Sequence, residues 1–316
     1  MEAAVVVYLL LWYVGNYYFN IFNKAAGIAS GGAAFAFTLA SLQLVIGSGW
    51  VVSLWVLGLR QRPALSASQA LRLLPLGLVT AVAHGSAIYA NLAGSLSFSQ
   101  IVKAGEPAFA AAVGYGVYRN GVSWRKLLCL VPVIGGIAIA SATELDYTLA
   151  SFAAVSLANL AAAFRGCENK RVMAGELQSA LGGEGNAYGV TTLWAALLLL
   201  PAIFATGEYE RRSEFVALWR ADGGEGGGLR FNAVLSGLLF YLYNEVSTRA
   251  LRHLSGVGHS VANTAKRAVV IVGSAVAFGE QMDRPKAVGC AIAIAGTFLY
   301  AIADDIPRLG GGTKRD

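Results

Sequence analysis

Apolar runs of about the length that crosses a bilayer, roughly 20 residues for a helix, recur along the whole chain. They fall at approximately 3–22, 33–58, 72–93, 97–118, 126–143, 148–166, 187–206, 232–253, 258–280 and 286–304. Inside lipid, backbone polar groups must be satisfied within the segment, so each run predicts a helix. The expected fold is all-α, a polytopic membrane protein with ten transmembrane helices. Composition agrees, because 56% of the 316 residues are hydrophobic and only 13% are charged, more apolar than a soluble domain.

The connections are short except for 207–230, whose glycines from Gly223 to Gly228 predict a mobile surface loop. The first run begins at once and is too long for a signal-peptide core, so no cleavable targeting segment is expected. A net charge of +6 invites a nucleic-acid reading, but such a binder gathers its basic residues on a soluble face. Here they lie between or inside apolar runs, and no nucleic-acid partner is expected. Cys129, Cys167 and Cys290 have no paired spacing, which implies neither a disulfide framework nor a metal site. An even helix count places both termini on one face. That face receives thirteen of the 24 lysines and arginines and the other seven, so the termini are assigned to the inside compartment.

The remaining four cations, Lys103, Arg165, Lys266 and Arg267, lie within or at the edge of apolar runs. Lys266 and Arg267 sit side by side near the middle of the ninth run. Each costs about 2.5 to 3.5 kcal/mol at the helix centre, and an anionic substrate is the expected compensation. The chain also resembles itself at an offset of 160, which lays Lys126 over Lys286 and Gly136 over Gly296. A five-plus-five repeat inverts its second half, and transporters of that design bind substrate between the repeats near the midplane. The expected division is a first repeat over 1–147, a second over 148–306 and a polar tail over 307–316. The same offset lays His84 over Asn244, beside Tyr243, and puts Lys103 three residues from the counterpart of Lys266.

Plainer readings stand beside these. Lys103 is close enough to a helix end to snorkel, His84 and Tyr243 suit helix-packing hydrogen bonds, and Arg165, at the end of the sixth run, suits an interface anchor. Glu106 or Glu245 would serve to neutralise Arg267. With Lys103, Lys266 and Arg267 set against Glu106 and Glu245, the excess is a single positive charge. Arginine matches phosphate oxygens bidentately while lysine supplies a compact charge, so phosphate or a phosphorylated metabolite fits better than a cation or neutral solute. A membrane scaffold whose cations pair only with Glu106 and Glu245 is the alternative of another class.

The stretch His84–Phe109 (HGSAIYANLAGSLSFSQIVKAGEPAF), with YNEVSTRAL from Tyr243 and NTAKRAVVIV from Asn263, closely resembles the plastidic phosphate translocators of the drug/metabolite transporter superfamily. ASATEL from Ala140, the Phe164, Arg165 and Lys170 pattern, and GCAIAIAGTFLYA from Gly289 extend the resemblance through essentially the whole chain. The resemblance implies a carrier, not an enzyme, with ten helices in inverted repeats and no cofactor. It exchanges inorganic phosphate for phosphorylated sugars or C3 compounds in the plastid inner envelope. The lipid bilayer is its other partner, and a homodimer stays an open alternative. Lys103, Lys266 and Arg267 match the family's phosphate-binding cations; His84 and Tyr243 match positions that contact the substrate.

Triose-phosphate members carry a threonine three residues after the histidine, where this chain has Ala87. That departure points to the glucose 6-phosphate branch, in which a smaller residue leaves space for a bulkier sugar. Triose-phosphate, phosphoenolpyruvate and Golgi or endoplasmic-reticulum nucleotide-sugar carriers are the alternatives. Glu245 stands where the family commonly has glutamine, and Gln100 where it has histidine; the sequence alone explains neither.

Overall fold

The computed structural model describes residues 2–119, 121–142, 144, 148–221, 228–251 and 256–304, with only the backbone described at 2–4, 251 and 256–260. Its helices are α1 (Glu2–Ala29), α2 (Ala36–Val56), α3 (Ala67–Arg72), α4 (Leu74–Ala93), α5 (Leu96–Lys103), α6 (Glu106–Gly116), α7 (Trp124–Ala142), α8 (Leu149–Ala174), α9 (Leu177–Leu181), α10 (Glu184–Ala205), α11 (Arg212–Arg220), α12 (Leu229–Leu251), α13 (Gly256–Phe278) and α14 (Arg284–Ile302). No strand occurs among the described residues. Eight helices, α1, α2, α4, α7, α8, α10, α13 and α14, are long and apolar enough to cross a membrane.

Three departures from the sequence reading matter. The fourth apolar run is two helices, α5 and α6, because Pro107 near the start of α6 has no N–H to return to the preceding turn. At the break the Ala108 N–H bonds to the Gly105 carbonyl, and the carbonyl of Ala104 instead accepts a hydrogen bond from Thr297 Oγ1 of α14 at 3.1 Å. The sixth run continues eight residues beyond its apolar stretch, to Ala174, so Arg165 lies well inside α8 instead of at its end. The long connection before α12 holds the helix α11. Its glycines 223–227, residues 145–147 between the fifth and sixth runs, and the tail 307–316 lie outside the described residues.

Apolar helices gain little from burial against one another in lipid, and close backbone approach takes its place. At the α7–α14 crossing a Cβ on Gly136 would lie 2.5 Å from the Ala293 nitrogen, and one on Gly289 2.6 Å from the Ala140 nitrogen. Only glycine permits that contact. The pair runs antiparallel, with Lys126 bonded to Asp304 at one end and Lys286 to Glu144 at the other, at 2.6 and 2.7 Å. Elsewhere α1 packs on α12, α4 on α8 and α10, and α2 on α10 and α12, while α13 meets α5 and α1. These helices surround a central space.

The end opposite the termini is held together by backbone-directed bonds. Glu280 accepts from the N–H groups of Leu96 and Ser97 at 2.6 and 2.8 Å, capping α5. Glu208 caps α2 in the same way, accepting from Phe37 and Thr38 at 3.0 and 2.7 Å. Lys24 Nζ donates to the carbonyls of Asn91 and Gly94 at 2.9 and 2.6 Å.

Candidate functional site

The central space is a cavity of about 300 Å³ bounded by α1, α4, α5, α6, α8, α12 and α13. It brings together Lys103, Lys266, Arg267, His84, Ala87, Tyr243, Arg165, Asn244 and Glu106, residues far apart in sequence.

Lys103 is the last residue of α5 and Glu106 the first of α6. Each charge thus faces the helix terminus of opposite partial charge, a favourable placement for both. From α13, Arg267 donates from Nη2 to the Glu106 carboxylate. Its Nη1 is buried and has no hydrogen-bond partner among the described residues. Lys266, the preceding residue on the same helix, holds its Nζ 4.9 Å from the centroid of the Trp12 ring, in cation–π contact. Among the described residues neither Lys103 nor Lys266 has a carboxylate within 4.0 Å.

The wall facing these cations is aromatic. His84 packs against Phe240 with ring centroids 4.1 Å apart and the rings tilted by 39°, and Tyr243 packs against Phe19 at 5.4 Å. The His84 ring is 6% exposed and its Nε2 has no hydrogen-bond partner among the described residues. Ala87 lies one turn farther along α4 on the same cavity wall.

Two residues differ from their sequence reading. Glu245 is absent from the cavity lining; its Oε1 accepts from Arg60 and, at 2.8 Å, from Arg249 near the terminal end. Arg165 lines the cavity instead. Among the described residues the lining charges are therefore four cations (Lys103, Arg165, Lys266, Arg267) against the one carboxylate of Glu106, a formal excess of three. Sequence reasoning also passed over the amides Asn16, Asn20, Asn91 and Asn159, which face the same space. Their signal was the i, i+4 spacing of Asn16 and Asn20 on an otherwise apolar helix.

The cavity continues toward the terminal end. A second space of about 350 Å³ shares Glu106, Ala162, Arg165, Asn244 and Ser247 with it. That space shares Glu184 and Thr248 with a third, also about 350 Å³, lined by Tyr8, Arg60 and Arg249. The three spaces thus share walls in series from the central cavity toward the terminal end, while the other end carries the bonds of Glu280, Glu208 and Lys24.

A model of the triose-phosphate transporter family matches residues 3–301 of the chain. The chain belongs to that family. Its members are transporters, so this is a transport protein and not an enzyme. Among similar proteins, glucose-6-phosphate/phosphate translocator 1 of Arabidopsis thaliana is 31% identical over 94% of this chain and 74% of its own length. The xylulose 5-phosphate/phosphate translocator of the same plant is 33% identical over 93% of this chain and 68% of its own. Its phosphoenolpyruvate/phosphate translocator 1 is 31% identical over 92% and 69%. All three are named as chloroplastic. A crystal structure 12% identical in sequence superposes with a TM-score of 0.54 over 96% of this triose-phosphate transporter family chain and 99% of its own. That likeness concerns the fold alone.

Proposed function

We propose that this protein exchanges inorganic phosphate for a phosphorylated sugar across the plastid inner envelope, by alternating access. The observation that carries the reading is a pair of lysines, Lys103 and Lys266, that have no carboxylate partner among the described residues and face one cavity in which the described cations exceed the anions by three. Buried charge persists only where something compensates it. A phosphate dianion suits three or four convergent cations, with the Arg267 fork and the two ammonium groups taking its oxygens. His84, Ala87 and Tyr243 then face the carbon moiety.

Obligatory exchange follows from the same charges. Without ligand, closing α5–α6 onto α13 brings like charges together; bound phosphate removes that cost and stabilises the occluded state. A ligand moves such an equilibrium only by its differential affinity for the two conformations.

We also propose ten spans in two inverted repeats, 1–147 and 148–306, counting the broken α5–α6 and α12 with the eight strongest helices. Packing supports this reading. By order within the two proposed repeats, α1 on α12 corresponds to α8 on α4, and α2 on α12 to α10 on α4, and both members of each pair occur. The close approach of Gly136 to Ala293 likewise has its counterpart in that of Gly296 to Val133.

Names of relatives span glucose 6-phosphate, xylulose 5-phosphate and phosphoenolpyruvate at nearly equal identity. The small Ala87 favours the sugar phosphates. Liposomes loaded with labelled phosphate test the class: external glucose 6-phosphate drives efflux and a nucleotide sugar does not. Efflux driven by UDP-sugars alone would move the protein to the nucleotide-sugar carriers.

A further inference from the structure

The end of the cavity farthest from the chain termini is built of amides, not cations. Asn91 of α4 is 1% exposed, Asn20 of α1 2% and Gln100 of α5 7%, and all three line the cavity. Gln100 Nε2 donates to Asn20 Oδ1 at 3.3 Å, and Asn20 Nδ2 donates to the Asn16 carbonyl at 2.7 Å. Asn91 Oδ1 is buried and has no hydrogen-bond partner among the described residues. Its backbone carbonyl is held by Lys24, which fixes where the side chain starts.

An unanswered amide atom next to a cavity costs about 1 to 3 kcal/mol unless a ligand satisfies it. Whichever way the Asn91 amide is turned, a hydroxyl answers it, because a hydroxyl both donates and accepts. Spacing along the helices fits a chain reaching away from the cations. Gln100 is one turn from Lys103, and Asn20 is two turns beyond Trp12, the residue beneath Lys266. At 1.5 Å per residue these offsets are about 5 and 12 Å, the reach of several carbons from a phosphorus atom.

We infer that Asn91, Gln100 and Asn20 form a hydroxyl-reading floor that selects polyhydroxylated sugar phosphates over phosphorylated C3 acids that lack a hydroxyl. The assignment rests on the phosphate-exchange reading above. It gives Gln100 a role: it keeps the floor neutral and hydrogen-bonding where a histidine would add a titrating ring. Phosphoenolpyruvate has no hydroxyl and offers only acceptors, so it leaves the Asn91 Oδ1 unanswered; a site built to bond a hydroxyl rejects analogues that lack one.

The test is counter-exchange in liposomes loaded with phosphate, comparing glucose 6-phosphate with phosphoenolpyruvate outside. In Asn91→Leu and Gln100→Leu the ratio of the two rates falls about tenfold. Asn91→Ser, which keeps a hydrogen-bonding group, recovers much of that ratio. A ratio unchanged within twofold in both leucine variants overturns the floor. So does a wild-type protein that exchanges phosphate but refuses every sugar phosphate, and in that case the phosphate reading stands. Absence of phosphate/phosphate exchange in the wild type would instead remove the underlying reading.

Discussion

Arg267 bonds across the cavity to Glu106, linking α13 to the first residue of α6. The one carboxylate that lines the cavity among the described residues is thereby committed to one cation, and Lys103 and Lys266 remain for a ligand. The resting site is thus partly neutralised but still strongly cationic.

Glu106→Gln removes that internal counter-ion. Without ligand the variant unfolds at a lower temperature than the wild type, because Arg267 is left buried and unpaired. Phosphate then stabilises it more than it stabilises the wild type; ligand at a hundred times its Kd contributes about 2.7 kcal/mol. Thermal unfolding with and without phosphate reads both effects, and equal phosphate shifts in the two proteins would contradict the pairing.

Glu280 ties the end of α13 to the start of α5 by two bonds to backbone N–H groups. Glu280→Gln weakens this cap by about 1 to 2 kcal/mol, so the capped end opens up to about thirtyfold more often. A cysteine introduced at Ser97 in a cysteine-free background then reacts faster with an impermeant maleimide added from that side. An unchanged labelling rate would show that Glu280 is not part of the closure.

At the α7–α14 crossing the two neighbouring glycines behave differently. A Cβ on Gly136 meets the Ala293 nitrogen at 2.5 Å, while one on Gly135 meets nothing within 4 Å. Gly136→Ala costs about 1 to 3 kcal/mol through overpacking, and Gly135→Ala is neutral or slightly stabilising. Thermal stability in detergent distinguishes them.

Much of this architecture is legible in the sequence because lipid imposes a length and an apolarity on each span. All ten runs correspond to helices or, for the fourth, to the pair α5 and α6. The break at Ala104–Gly105 was hidden because hydropathy stays high across it; Pro107 was the available signal. The short helices α3, α9 and α11 carry no spanning pattern and were missed for that reason. Arg165 read as a helix end because α8 continues through polar residues that hydropathy counts as loop. Glu245 was assigned to the central charges because its partner Arg60 lies 185 residues away on a connecting segment, a contact that spacing along α12 cannot reveal.

The central claim is that Lys103, Lys266 and Arg267 hold a phosphate that must be bound for the carrier to reorient. Uptake of labelled phosphate into liposomes preloaded with phosphate or left empty, for the wild type and Lys266→Ala, tests it directly. The account predicts wild-type uptake at least tenfold higher into loaded liposomes, with loss of one charged hydrogen bond in Lys266→Ala lowering it by about ten- to a hundredfold. Equal uptake into empty liposomes, or undiminished exchange by Lys266→Ala, would contradict it.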